Sequence, residues 1–121
     1  MKVRIFLPIL IIICFILTGC GDQTLVVRTP LEGDSYIRNN IQELNWPMFS
    51  TLISKNSNIQ EDDFLNLQQT LTEFPHTRYI LVKDELFRFN PRGQMLYYTD
   101  WIEEDGYYKL DLLEFPRYGS N

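Results

Sequence analysis

Tyr79-Ile80-Leu81-Val82-Lys83-Asp84-Glu85-Leu86-Phe87-Arg88-Phe89 is the stretch on which the fold turns. Two short apolar runs flank a polar Lys-Asp-Glu break, and here the apolar period changes from helical spacing to two. This predicts a hairpin, with strands over 79–82 and 86–89 and a tight turn between them. Asn90-Pro91-Arg92-Gly93 follows. Proline at the second turn position and glycine at the fourth suit a type I turn. Met95 to Trp101 is then a third strand. Glu103-Glu104-Asp105-Gly106 forms the next loop, where Asp-Gly supplies a positive φ. Tyr107 to Phe115 is the fourth strand, and Pro116 and Gly119 close the domain. Consecutive hairpins lay neighbours side by side, which makes an antiparallel meander.

Upstream the spacing is helical. Phe64, Leu67, Leu71 and Phe74, helped by Leu65, form a stripe over roughly 59–74 that Pro75 ends. Ser57 or Asn58 caps it, and Glu61, Asp62 and Asp63 favour the positive end of its dipole. Ile37, Ile41 and Leu44 predict an earlier helix, capped by Asp34 and ending near Asn45-Trp46 because Pro47 follows. A short helix from Pro47 carries Met48, Phe49, Leu52 and Ile53; the alternation of Phe49, Thr51 and Ile53 leaves a strand as the alternative. Pro30 and Gly33 bracket a turn, and Thr24 to Arg28 has the β-branched character of a strand or the looseness of a tether. The expected fold class is α+β: two to three N-terminal helices packed on one face of a four-stranded antiparallel meander sheet.

A four-residue loop at 103–106 places Trp101 opposite Tyr108, Thr99 opposite Leu110 and Tyr97 opposite Leu112, with Asp100–Lys109 on the other face. The preceding hairpin pairs Phe89 with Gln94 and Phe87 with Leu96, so that Phe87, Phe89, Leu96 and Tyr98 share the Asp100 side. Both faces then carry large apolar groups, and one layer of helices covers only one. Either a bulge shifts the register, or the second face meets a partner. Tyr and Trp are frequent interface anchors, which makes Tyr97, Tyr98, Trp101, Tyr107 and Tyr108 the candidate partner-binding residues.

The N-terminus is of another kind. Lys2 and Arg4 precede an almost unbroken apolar run from Ile5 to Leu17, followed by Thr18-Gly19. These are the zones of a secretory signal. The run is too short for a spanning helix, which needs about 20 apolar residues. Leu17-Thr18-Gly19-Cys20 resembles the lipobox of bacterial lipoproteins. The resemblance covers about the first 22 residues and implies that Cys20 is diacylated, that residues 1–19 are removed, and that the acylated Cys20 becomes the new N-terminus. Residues 20–33 are then the lipidated N-terminus and tether, and residues 34–121 a single domain. Gly21 after the cysteine is similar to many Gram-positive lipoproteins. That implies a domain on the extracytoplasmic face of the cell membrane, held by diacylglyceryl and N-acyl groups on Cys20.

Processing of this kind changes the chemistry available. The chain has 121 residues, 11 basic and 16 acidic, for a net charge of −5. The leader holds two of the basic residues and none of the acidic ones, so a mature chain of 102 residues carries −7. Such a balance argues against nucleic acid or anionic lipid headgroups as partners, since both need basic patches. Of the two cysteines, Cys14 leaves with the leader and Cys20 carries lipid, so neither a disulfide nor a thiol nucleophile remains.

Other chemistry has little support. His76 stands alone between the long helix and the first strand. Ser35, Ser50, Ser54, Ser57 and Ser120 lie in no nucleophile elbow, and there is no glycine-rich phosphate loop. Asp100, Glu103, Glu104 and Asp105 are numerous enough for calcium but lack the spacing of an EF-hand loop; a solvated hairpin tip accounts for them. The expectation is a non-enzymatic surface lipoprotein without cofactors, binding another protein at the membrane in an assembly, exclusion or immunity role. The alternative is a small-molecule or cell-wall ligand carrier, which requires Tyr97, Tyr98 and Phe87 to line a closed apolar pocket.

Overall fold

Residues 26–116 are described in the computed structural model. The leader, Cys20, the segment Thr24-Leu25 and Gly119 lie outside the described residues. Three helices precede the sheet: α1 (Pro30–Asn40), α2 (Trp46–Ser50) and α3 (Glu61–Glu73). Four strands follow: β1 (Arg78–Val82), β2 (Glu85–Phe89), β3 (Met95–Glu104) and β4 (Tyr107–Glu114). They form one antiparallel sheet in sequence order, so the fold is α+β with a meander.

The helix starts follow from their caps. Thr29, not Asp34, caps α1: its Oγ1 accepts from the Glu32 N–H at 3.1 Å. Pro30 sits in the first turn, where its missing N–H costs nothing and its fixed φ suits a helix. The expected turn at 30–33 is therefore helix, and ordered structure begins before residue 34. Asn45 caps α2 through Oδ1, which accepts from the Met48 N–H at 2.9 Å. At α3 the Asp63 carboxylate accepts from the Gln60 N–H at 2.8 Å, closing a capping box.

Two-residue turns join β1 to β2 and β3 to β4. Lys83 has a φ of 56°, and Asp105-Gly106 have 57° and 85°, the positive values that tight hairpins need. The β3–β4 loop is thus two residues rather than four, because β3 runs on to Glu104, which pairs with Tyr107. Trp101 accordingly faces Leu110, not Tyr108, and Ile102 faces Lys109. In the β2–β3 pair Phe87 faces Tyr98, not Leu96, and Phe89 faces Met95.

Two bulges interrupt the alternation, yet large apolar groups remain on both faces. One falls between Arg88 and Phe89 and leaves Leu96 as the extra residue; the other lies between Asp100 and Trp101 and makes Asp111 the extra one. Past the second bulge Leu110 and Leu113, three residues apart, are both buried. A bulge inserts one residue and so restores the same face after an odd step. Leu86, Arg88, Tyr97, Thr99 and Trp101 are buried on one side of the sheet, and Phe87, Phe89, Tyr98 and Asp100 are half-buried on the other.

The main core joins Ile37, Ile41 and Leu44 to Phe49, Leu52, Phe64, Leu67, Leu71, Tyr97, Trp101, Leu110 and Leu113. The rings of Phe49 and Phe64 lie 4.8 Å apart, with Trp46 at 6.2 Å and 6.4 Å from them. Gly33 admits the Trp101 indole: a Cβ at position 33 would lie 2.4 Å from the ring. No helix among the described residues is long and apolar enough to cross a membrane.

Candidate functional site

A four-stranded meander has two edges, and the chain treats them differently. The outer side of β4 is closed. The Leu110 N–H donates to the Leu52 carbonyl at 2.7 Å, and the Leu110 carbonyl accepts from the Ser54 N–H at 2.9 Å. Further along, the Tyr108 N–H donates to the Val27 carbonyl at 2.8 Å. Those three contacts occupy outward backbone groups of Tyr108 and Leu110 in the middle of the strand.

β1 is the other edge, and among the described residues nothing pairs with its outer side. All five of its residues are exposed. Tyr79, Ile80, Leu81 and Val82 each show between 39 and 53 % of their surface. Antiparallel ladders alternate residues that bond to the neighbour with residues that do not. Val82 and Glu85 flank the two-residue turn and form a bonded pair, so Arg78, Ile80 and Val82 turn their backbone groups toward β2. Tyr79 and Leu81 turn theirs outward. A continuous apolar run is the mark of a strand buried on both faces, yet this one lies at the rim of the sheet.

Arg88 secures β1 from within. Its Nε donates to Asp34 Oδ2 at 2.9 Å and its second terminal nitrogen to the same oxygen, while the first donates to Thr77 Oγ1 at 3.1 Å. The guanidinium also lies 5.1 Å from the Tyr79 ring centroid, a cation–π distance. Tyr97 completes the group: its hydroxyl donates to Asp34 Oδ1 at 2.7 Å. Burial, and then the Asp34 carboxylate, push that phenol well above its ordinary range, so it stays a donor. Asp34, Arg88 and Tyr97 are all buried, with 2 % or less of each exposed, which closes them to a substrate. The group is structural: it ties α1, β2, β3 and the start of β1 together.

On the opposite face the Phe87 and Tyr98 rings lie 4.9 Å apart. Tyr98 donates to Glu85 Oε1 at 2.6 Å, a bond that raises its hydroxyl above the ordinary phenol range. Nearby, burial and then the charges of Glu85 and Asp111 raise the Asp100 carboxyl. A carboxyl raised by folding stabilises the fold when protonated, and this contribution fades as pH rises through its folded value. Asp100→Asn cannot ionise. It is expected to melt above the parent at neutral pH, with the gap closing below the ordinary carboxylate range. An equal gap at both pH values would refute the repulsion.

The sequence candidates separate in the fold. Tyr97 and Trp101 are fully buried and closed to any partner; the indole N–H of Trp101 donates inward to Thr99 Oγ1 at 3.1 Å. Both are corrected from interface to core, because the face they share packs into the main core with Ile37, Ile41, Phe64 and Leu67. Tyr108 packs against that core. Tyr98 is half-buried and bonded to Glu85, and Tyr107 is exposed at the β3–β4 turn. The structure does not bring the five together. Nor do Tyr97, Tyr98 and Phe87 line one cavity, since Tyr97 lies on the other side of the sheet.

Among the acidic residues of that hairpin, Asp105 meets Lys55 at 3.6 Å and Glu104 accepts from the Lys55 backbone N–H at 3.2 Å. No group of three His, Cys, Asp or Glu among the described residues is placed to hold a metal ion. His76 is exposed.

Sequence reasoning looked to the aromatic residues and passed over Ile80, Leu81 and Val82. A signal was present: the first strand of a meander is an edge by topology, whereas its unbroken apolar run describes a central strand. That conflict marks the surface. No known protein family, curated protein or solved structure matches the chain.

Proposed function

We propose that the chain is a membrane-anchored surface lipoprotein whose non-enzymatic domain binds another protein by adding a strand to β1. The observation that carries this reading is the open β1 edge, apolar on both faces, in a sheet whose other edge is closed. Proteins guard exposed edges with charges, prolines, bulges or covering segments. Between Arg78 and Lys83, β1 has none of these. Strand addition takes its affinity from main-chain bonds and its specificity from alternate side-chain pockets. Cys20 supplies the anchor in this reading, since two acyl chains hold a protein stably at a membrane. The three helices are taken as one layer on the Trp101 side, leaving β1 beyond their reach.

The test places a photo-crosslinking residue at Ile80 and, as control, at Leu65, which is also apolar and exposed. In membranes, a discrete adduct is expected from position 80 and not from 65. It should disappear in Leu81→Pro, which removes only an outward N–H, and in Cys20→Ala, which releases the protein or leaves it unprocessed. Equal adducts from both positions, or membrane retention and normal processing of Cys20→Ala, would overturn the respective half of the proposal.

A further inference from the structure

The charge around β1 states what kind of strand it accepts. The mature chain is strongly acidic, but residues 74–99 contain only two carboxylates, Asp84 and Glu85, against Arg78, Lys83, Arg88 and Arg92. Arg88 is spent on Asp34. The other three are exposed, and among the described residues none has a carboxylate within ion-pair distance. Arg78 and Lys83 bracket the apolar strand. Arg78 and Arg92 also border a groove of about 470 Å³ at the start of β1, whose apolar lining includes Ile80, Phe89 and Pro91.

Resting on the reading of β1 as a strand acceptor, we infer that its partner is an extended segment of another protein, apolar at alternate positions and flanked by carboxylates. Its backbone bonds to the outward groups of Tyr79 and Leu81. An apolar side chain enters the groove beside Ile80 and Phe89. One flanking carboxylate meets Arg78 and Arg92, and the other meets Lys83. Once such a strand is added, β1 becomes the central strand that its composition describes.

Two other occupants fit less well. A second copy paired antiparallel about Ile80 sets Arg78 of each chain opposite Val82 of the other, one position from its Lys83, so that two cations gather at each end of the pair. A lipid surface requires the open edge to lie against the membrane, but Val27, the residue by which the domain leads back toward Cys20, is bonded to β4 at the opposite edge.

The experiment uses the full acylated chain in nanodiscs of zwitterionic lipid and measures fluorescence anisotropy of labelled nine-residue peptides. Each peptide has a Val-Thr alternating centre flanked by glutamates in one and lysines in the other; a third is the glutamate peptide N-methylated at its centre. The glutamate peptide is expected to bind about tenfold more tightly than the lysine peptide at low salt, with the gap shrinking at high salt. N-methylation should abolish binding, and Arg78→Glu with Arg92→Glu should reverse the preference. Equal affinity for the two charge forms, or binding that survives N-methylation, overturns the inference. So does sedimentation of the chain as a dimer through position 80, or recruitment of the edge by anionic nanodiscs without peptide. If the Ile80 adduct forms on membranes but the peptides show no charge preference, the carboxylate chemistry fails and strand addition stands. If neither appears, both fall.

Discussion

Asp34→Ala is expected to lower the free energy of unfolding by about 3–5 kcal/mol, the usual cost of removing one partner from a buried ion pair. The Arg88 guanidinium has no second carboxylate to turn to. It is buried, its bonds to Asp34 are lost, and only Thr77 Oγ1 and the Tyr79 ring remain beside it. The Tyr97 hydroxyl loses its acceptor at the same time. Small domains are stable by only about 5–15 kcal/mol, so this single change takes a large share of the total. Replacing both charges together, as Asp34→Leu with Arg88→Met, should cost far less than the two single changes summed, since the fully buried Arg88 charge leaves with its partner and only the part-exposed Arg38, 3.8 Å from Asp34, loses one. Chemical denaturation of the four proteins measures this coupling. Additive losses would show that the pair acts as two independent residues. The single variant should also loosen β1, because Arg88 holds Thr77 and Tyr79. Faster amide exchange of Ile80 and Val82 than of β3 is the expected sign.

Trp101→Ala is expected to cost about 3–5 kcal/mol, as removal of a fully buried aromatic does. This is the effect of a core residue, and it falls on stability rather than on partner capture. The cavity would lie against Gly33, whose missing Cβ is the space the indole occupies. Gly33→Ala should therefore destabilise too, by about 1–3 kcal/mol through overpacking. A helix normally gains from that exchange, so the sign itself is informative. Trp101→Phe removes the outer part of the ring and should relieve the alanine. Thermal melts of the two single variants and the double variant provide the check. A Gly33→Ala protein as stable as the parent would deny the contact.

The strands were legible because period two and turn chemistry agree over short distances. Asn90-Pro91-Arg92-Gly93 shows this: Gly93 N–H donates to the Asn90 carbonyl at 2.9 Å, the bond a β-turn calls for. The α3 stripe was legible for the same reason, since Phe64, Leu67 and Leu71 are all buried. Asp34 was misread as a cap because a carboxylate before an apolar stripe is equally good as a cap or as a buried partner. Only the arrival of Arg88, 54 positions later, distinguishes them. Bulges left no mark in the alternation of β2 to β4. Reading the 103–106 loop as four residues rather than two moves the partner of Trp101 from Leu110 to Tyr108, and beyond Trp101 the bulge adds one residue on β4, a slip that exchanges the faces of that strand.

By itself, then, the amino-acid order determined the number of strands, their meander, the helical stripes and the expectation of a lipidated Cys20, all of which depend on neighbours within a few positions. The tertiary structure decided which aromatics are core, which charges are buried, and which sheet edge is closed. These depend on residues such as Leu52, Val27 and Asp34 reaching strands far along the chain. β1 is where the two levels meet. Its composition asks for burial on both faces, and the fold leaves it at the rim, because no later segment of the described chain returns to cover it.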